Sequence, residues 1–227
     1  MSTWAPHPVT CPGCGHPFEV RLLKGMHITR LPDVQEQLRH GTFQVFTCPG
    51  CDEGAVVERT SVYTDFEHGH YVAVEPSGTE DVHAALQRHQ RIFDHAFELG
   101  PEVAQELGRR LTTRLVIGLP ALREKVLCWD NGLDDHVVEG VKLVGMAAFG
   151  GSPRTHVLRL STVLEDGGHL LFSVFERPLR PGQFTPDRHQ MVRRADYDAM
   201  LADTPRLRGM VPWVFRPWLV DVSLGGS

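Results

Sequence analysis

No stretch of this 227-residue chain stays apolar for the roughly 20 residues that a membrane-crossing helix needs. The most apolar segment, Val137–Phe149, is broken by Glu139 and Lys142. Residues 1–20 hold no apolar run either and carry Pro6, His7 and Pro8. No export signal is therefore expected, and the expected compartment is the cytoplasm. Lysine is scarce, 3 residues against 20 arginines, which points to GC-rich coding more than to a binding surface. Also missing are a phosphate-cradling glycine loop, a nucleophile elbow and a His-Glu-x-x-His pattern. The common sequence warrants for a reaction are thus absent, and no catalytic residue or cofactor-binding residue is assigned.

The chain does contain two matching cysteine pairs, Cys11-Pro12-Gly13-Cys14 and Cys48-Pro49-Gly50-Cys51. A two-residue spacer lets both thiolates of a pair face one ion, and two such pincers supply the four soft ligands of tetrahedral zinc. Pro12 and Pro49 pre-set a turn dihedral, and Gly13 and Gly50 are expected to take positive φ, turning amides toward the sulfurs. One structural zinc on Cys11, Cys14, Cys48 and Cys51 is the expectation. Four protein thiolates leave no open position, so the site predicts architecture and not a reaction. Three alternatives stand beside it. A disulfide framework needs an oxidising compartment. A redox dithiol sits at a helix N-terminus, whereas Cys14 is followed by Gly15, Pro17 and strand-like Phe18-Glu19-Val20. A rubredoxin-like iron site uses similar knuckles, but here 33 residues with a helix-like segment separate the pairs.

Other groupings invite chemistry and have plainer readings. Cys128, in Leu127-Cys128-Trp129, reads as a small buried hydrophobe before a nucleophile. Asp65, Glu67, His68 and His70 form a candidate second metal site or a solvated hairpin tip. His83, His89 and His95 recur every six residues, a period that does not align rings on a helix. Asp134-Asp135-His136 reads as helix capping before acid–base chemistry. Nothing in the spacing of Glu176, Asp187 and His189 requires a shared role.

Along the chain, strands are predicted at Phe18–Leu23, Phe43–Thr47, Ala55–Arg59 and Tyr71–Val74, with a short helix over Val34–His40 stopped by Gly41. Ser77–Leu99 and Pro101–Leu111 are helix-compatible, and Leu115–Ile117 is a short strand. Pro120–Trp129 and the helix after Asp134 form a hairpin around Asn131-Gly132, the second helix carrying a Val137, Val141, Val144 stripe. Beyond Gly150-Gly151-Ser152-Pro153, Val157–Leu164 and Leu170–Phe175 flank the turn Glu165-Asp166-Gly167-Gly168. A helix over Asp196–Leu201 and a last strand over Trp218–Leu224 follow. The fold class is α+β: residues 1–76 a zinc-ribbon-like unit with an inserted helix, 77–150 a helical segment with a helix hairpin, and 151–227 a small antiparallel α+β unit.

The stretches Val9–Gly15, Leu31–Gly41, Phe46–Cys51 and Val62-Tyr63-Thr64-Asp65, with Leu122–Leu127 and Asn131–Asp135, resemble the CpXC family over roughly residues 9–145. The resemblance implies a zinc-binding module with no assigned activity. One departure is Asp52, where a glycine usually follows the second knuckle.

Charge narrows the partners. Residues 1–76 carry 5 basic against 9 acidic residues, 77–150 carry 8 against 11, and 151–227 carry 10 against 8. An acidic ribbon argues against nucleic acid, which needs a basic face. Arg188, Arg193, Arg194, Arg206, Arg208 and Arg216 are the basic alternative. The leading expectation is a zinc-stabilised interaction module, an adaptor or regulatory subunit of a bacterial assembly, with a protein partner or self-association. The alternatives are an enzyme between the helix hairpin and the C-terminal sheet, and a nucleic-acid regulator using those arginines. Val126, Leu127, Trp129, Val137, Val138, Leu143, Met146, Trp213 and Trp218 are the expected contact side chains.

Overall fold

The computed structural model describes residues 4–164, 167–177, 179 and 185–224. The expected turn residues Glu165 and Asp166 lie outside them. The chain divides into two compact units, Met1–Leu122 and Arg123–Ser227, where three segments were expected.

The first unit opens with strand β1 (Trp4–Thr10), antiparallel to β2 (Pro17–Leu23). β1 lies where no strand was predicted, and its Pro6 and Pro8 lack the N–H of a ladder. A two-stranded sheet has outer edges where proline costs no bond. A second small hairpin joins β4 (Val45–Thr47) to β5 (Gly54–Val56). Between the hairpins lie β3 (Gly25–His27) and helix α1 (Pro32–His40). Pro32 starts α1, and Gly41, at φ 69°, ends it in the left-handed conformation, as predicted.

The remaining strands are β6 (Ser61–Asp65), β7 (His70–Glu75) and β8 (Thr112–Ile117). They join β3 in the order β3-β6-β7-β8, with only β6 and β7 antiparallel. The true partner of β7 is thus Ser61–Asp65 and not Ala55–Arg59, because Asp65 and His68 close the tight turn. The Asp65 carboxylate accepts from the His68 amide at 3.1 Å and contacts its ring at 2.8 Å. The parallel step from β7 to β8 uses α2 (Val82–Phe93), a π-helical turn at Asp94–Glu98 and α3 (Glu102–Arg109).

Helix α4 (Leu119–Asp130) begins in the first unit and runs into the second. It turns through Gly132, at φ 61°, into α5 (Asp135–Ala148), with Asp134 as N-cap. β9 (His156–Val163), β10 (His169–Glu176) and β11 (Arg188–Arg193) form an antiparallel sheet in the order β11-β10-β9. α6 (Arg194–Ala202) and α7 (Thr204–Met210) follow. The last strand predicted over Trp218–Leu224 is not formed. The segment bends at Trp218, φ 73°, and ends in a 3-10 turn at Val222–Leu224. The core of this unit joins Leu127, Val137, Val138, Leu158, Phe172 and Tyr197 with Val214, Val220 and Val222. Val144 breaks the expected stripe: it is 57% exposed, while Val137 and Val141 are buried.

Candidate metal centre

Each cysteine pair occupies the six-residue loop of one small hairpin. In the first, the Cys11 amide donates to the His16 carbonyl and the Gly15 amide to the Cys11 carbonyl, both at 2.9 Å. In the second, Cys48 to Glu53 and Asp52 to Cys48 repeat both bonds at 2.9 Å. The two knuckles are therefore the same local structure built twice. The left-handed residue is the one after each second cysteine, Gly15 at φ 75° and Asp52 at φ 59°, and not Gly13 or Gly50 as expected. Asp52 thus holds, at some backbone cost, a conformation that glycine would take freely. Gly50 is tightly packed, whereas at Gly13 the neighbour is a flexible side-chain end that can move aside. A Cβ at Gly13 would collide with the Glu53 carboxylate, and one at Gly50 would press on the His16 ring. Each loop's flanking residue reaches across the other loop.

This crossing brings the four sulfurs together. Cys11 Sγ lies 3.7 Å from Cys51 Sγ, and Cys14 Sγ lies 3.7 Å from Cys48 Sγ. All four lie within 4.8 Å of one another. Four thiolates about 2.3 Å from a central ion stand about 3.8 Å apart at the corners of a tetrahedron, so the donor set fits such an ion. Cys11 and Cys48 are buried, Cys14 and Cys51 exposed. The Gly50 amide donates to Cys48 Sγ at 3.3 Å. Amide hydrogen bonds from Cys14 and Gly13 hold the Cys11 thiol down to about 7 despite its burial. At Cys51 the Glu53 amide favours the thiolate, but the neighbouring thiols and burial outweigh it and push the pKa up to about 12. The buried apolar cluster beneath the hairpins is small: Val20, Leu22 and Val57, flanked by Val9, Phe18 and Phe46.

Most of the other candidate residues have structural partners. Asp65 and His68 close the β6–β7 turn. His83 contacts Gln87 at 2.9 Å. Buried His89 meets Glu75 at 2.6 Å, and Glu75 also takes Arg88 at 2.6 Å and Thr60 at 2.9 Å. Burial works to raise the Glu75 carboxyl, but these donors hold it below its ordinary value. Asp134, Asp135 and His136 cluster at the start of α5. There Asp134 caps the helix, Asp135 pairs with Lys125 at 3.0 Å, and His136 stacks on Phe215. The Glu176 amide donates to the Asp187 carboxylate at 2.7 Å on an exposed surface that includes His189. Cys128 is fully buried, and burial pushes its thiol well up.

The proposed contact side chains are mostly core. Val126, Leu127, Val137, Val138, Met146 and Trp218 are buried, and Leu143 and Trp213 pack against the core cluster. Several C-terminal arginines are engaged within the chain. Arg188 lies over Phe149, Arg193 pairs with Asp196 at 2.7 Å, and Arg194 pairs with Asp198 at 3.0 Å.

Sequence reasoning missed a buried charge cluster in the second unit. Lys142 Nζ lies 2.5 Å from Glu124 and 2.7 Å from Glu139. Lys125 Nζ reaches Asp135 at 3.0 Å and the Val220 carbonyl at 2.7 Å. Arg159 pairs with Asp221 at 2.9 Å. Burial works against every one of these charges. Opposing charges raise Lys125, Lys142 and Arg159 and hold Asp221 far below its ordinary value, whereas burial prevails at Glu139 and raises it. The available signal was that two of only three lysines sit on the two most apolar helices.

No curated protein and no solved structure matches the chain. A family model described as CpXC protein matches residues 9–142, which include both knuckles, the inserted helix and the start of the α4–α5 hairpin. With more than half its length matched and its four cysteines clustered at one point, the chain belongs to the CpXC family.

Proposed function

We propose that this chain is a zinc-stabilised protein-interaction module, an adaptor or regulatory subunit of a bacterial assembly. The observation that carries the reading is the closed four-sulfur cluster, whose 3.7 Å separations match the edge of a zinc–thiolate tetrahedron. Cys11, Cys14, Cys48 and Cys51 would hold the ion. Zinc so bound cross-links two hairpins and offers no position for substrate. Amides of Gly13, Cys14 and Gly50 would stabilise the thiolates. A helix in the insert separates this arrangement from the compact loop of a rubredoxin-like iron site.

The test has two readings. Elemental analysis with native mass spectrometry of reduced protein should give one zinc per chain. Purification from the source organism should then recover a defined partner, which Cys48→Ser loses together with the metal. Folded, metal-free protein, or a Cys48→Ser variant that keeps its partner, would sink the proposal.

A further inference from the structure

The second unit has one closed and one open sheet edge. On β9, Glu124 accepts from the Leu160 amide at 2.6 Å, and Arg123 donates to the Ser161 carbonyl at 2.9 Å. Side chains of α4 thus occupy the edge where another strand would pair. The opposite edge is β11, with no described strand beyond it. Beside β11 runs a groove of about 250 Å³, lined among others by Val144 and Ala148 of α5, Met191 of β11 and Met200 of α6. Val144 is 57% exposed there, and Met191, whose side chain alternates to the other face from Gln190 and Val192, is 54% exposed.

The register says what fits this edge. In an antiparallel ladder, alternate residues turn their backbone groups toward a neighbour and away from it. Arg194 donates to the Gly168 carbonyl at 2.7 Å, and pairing runs from His169↔Arg193 to Val174↔Arg188. Even-numbered residues therefore bond β10, while His189, Met191 and Arg193 present N–H and C=O outward. A second β11 laid antiparallel about a two-fold axis through Gln190 sets His189 against Met191, outward group to outward group. The same register brings Asp187, just before β11, near Arg193 at both ends; Asp187 now accepts from the Glu176 amide and Arg193 pairs with Asp196, so opposite charges are added to pairs already formed on the surface. A Cβ placed on Gly145 of α5 would meet the Gln190 and Val192 side chains at van der Waals distance, so this face of the strand looks into the helix layer. The matching face of the added strand would cover Val144 and Ala148. The Gln190 amide, now on the Met191 carbonyl at 3.1 Å, is a flexible group that would yield the position.

We propose that the chain self-associates through β11, two copies forming one six-stranded sheet about a two-fold axis, with each groove covered by the other copy's edge strand. This deepens the interaction reading, on which it rests, by naming a second copy as the partner.

Light scattering of the full zinc-loaded chain should give the mass of two chains, falling to one on dilution. Met191→Pro removes an N–H that points away from β10 and leaves that ladder intact. Val144→Lys puts a charge in the groove from an exposed helix position. Each should weaken the dimer by about tenfold or more, with circular dichroism and melting close to the parent. Gln190→Cys, on the axis, should form a disulfide-linked dimer in a glutathione buffer, whereas Arg188→Cys, opposite Val192, should not. A monomer at every concentration, an undiminished dimer in both surface variants, or cross-linking at 188 and not at 190 would overturn the proposal. A monomer that still recovers a different partner overturns self-pairing alone; a monomer that recovers none overturns the interaction reading too.

Discussion

Replacing Lys142 with methionine keeps the length of the side chain and deletes its charge. In the native state Lys142 Nζ sits between Glu124 at 2.5 Å and Glu139 at 2.7 Å, and the three side chains are at most 1% exposed. Removing the cation leaves two buried carboxylates. Glu124 keeps the Leu160 amide and Arg159 at 3.5 Å, while Glu139 keeps the Val222 amide at 3.0 Å and Lys125 at 3.4 Å. Removing one partner of a buried pair costs about 3–5 kcal/mol, a large share of a domain stability of about 5–15 kcal/mol. Urea unfolding near pH 7, followed by circular dichroism, should show a loss of that size.

The loss should depend on pH. Glu139 already titrates above its unfolded value of about 4.3. A group raised in this way contributes stability that is present below the unfolded pKa and lost as pH rises through the folded one. Deleting Lys142 raises Glu139 further, so the variant's deficit should be smaller at mildly acid pH than at neutral pH, as Glu139 takes up a proton. Glu139→Gln should be less harmful in the Lys142→Met background than in the parent, with a coupling of about 0.5–3 kcal/mol. A loss under about 1 kcal/mol, the same at both pH values and with no coupling, would show that the cluster is not the electrostatic unit described.

Chelation or Cys48→Ser should abolish hydrogen-exchange protection around both knuckles and leave β9 and β10 protected, because among the described residues the apolar cluster at the hairpins is as small as Val20, Leu22 and Val57; unchanged protection at the knuckles would refute this. Asp52→Gly should raise the stability of the metal-loaded first unit by about 0.5–1 kcal/mol in thermal melts, since it relieves a left-handed aspartate; a destabilised variant would contradict it. Cys128 should resist thiol reagents in native protein and react only on unfolding, being fully enclosed with its thiol pushed well up; rapid labelling of folded protein would overturn that assignment.

The clustering of the four cysteines was legible because its information is local. The spacing of Cys11 to Cys14 and Cys48 to Cys51 is a property of four consecutive residues, and the Gly41 and Gly132 helix ends are properties of single backbone positions. The α4–α5 hairpin followed for the same reason, from apolar periodicity interrupted by Asn131-Gly132. The tertiary structure decided what depends on distant partners. Pro6 and Pro8 are admissible in β1 only because an edge of that small sheet needs no N–H. Trp213 and Trp218 looked like surface anchors until the turn at Trp218 folded the C-terminal segment onto the core of the second unit. Lys125 meets the carbonyl of Val220, 95 residues away, and Glu139 meets the amide of Val222, 83 residues away. No periodicity along α4 or α5 encodes those meetings. A buried charge is tolerable only where its opposite is delivered to within about 3 Å, and chain spacing alone does not say which remote segment delivers it.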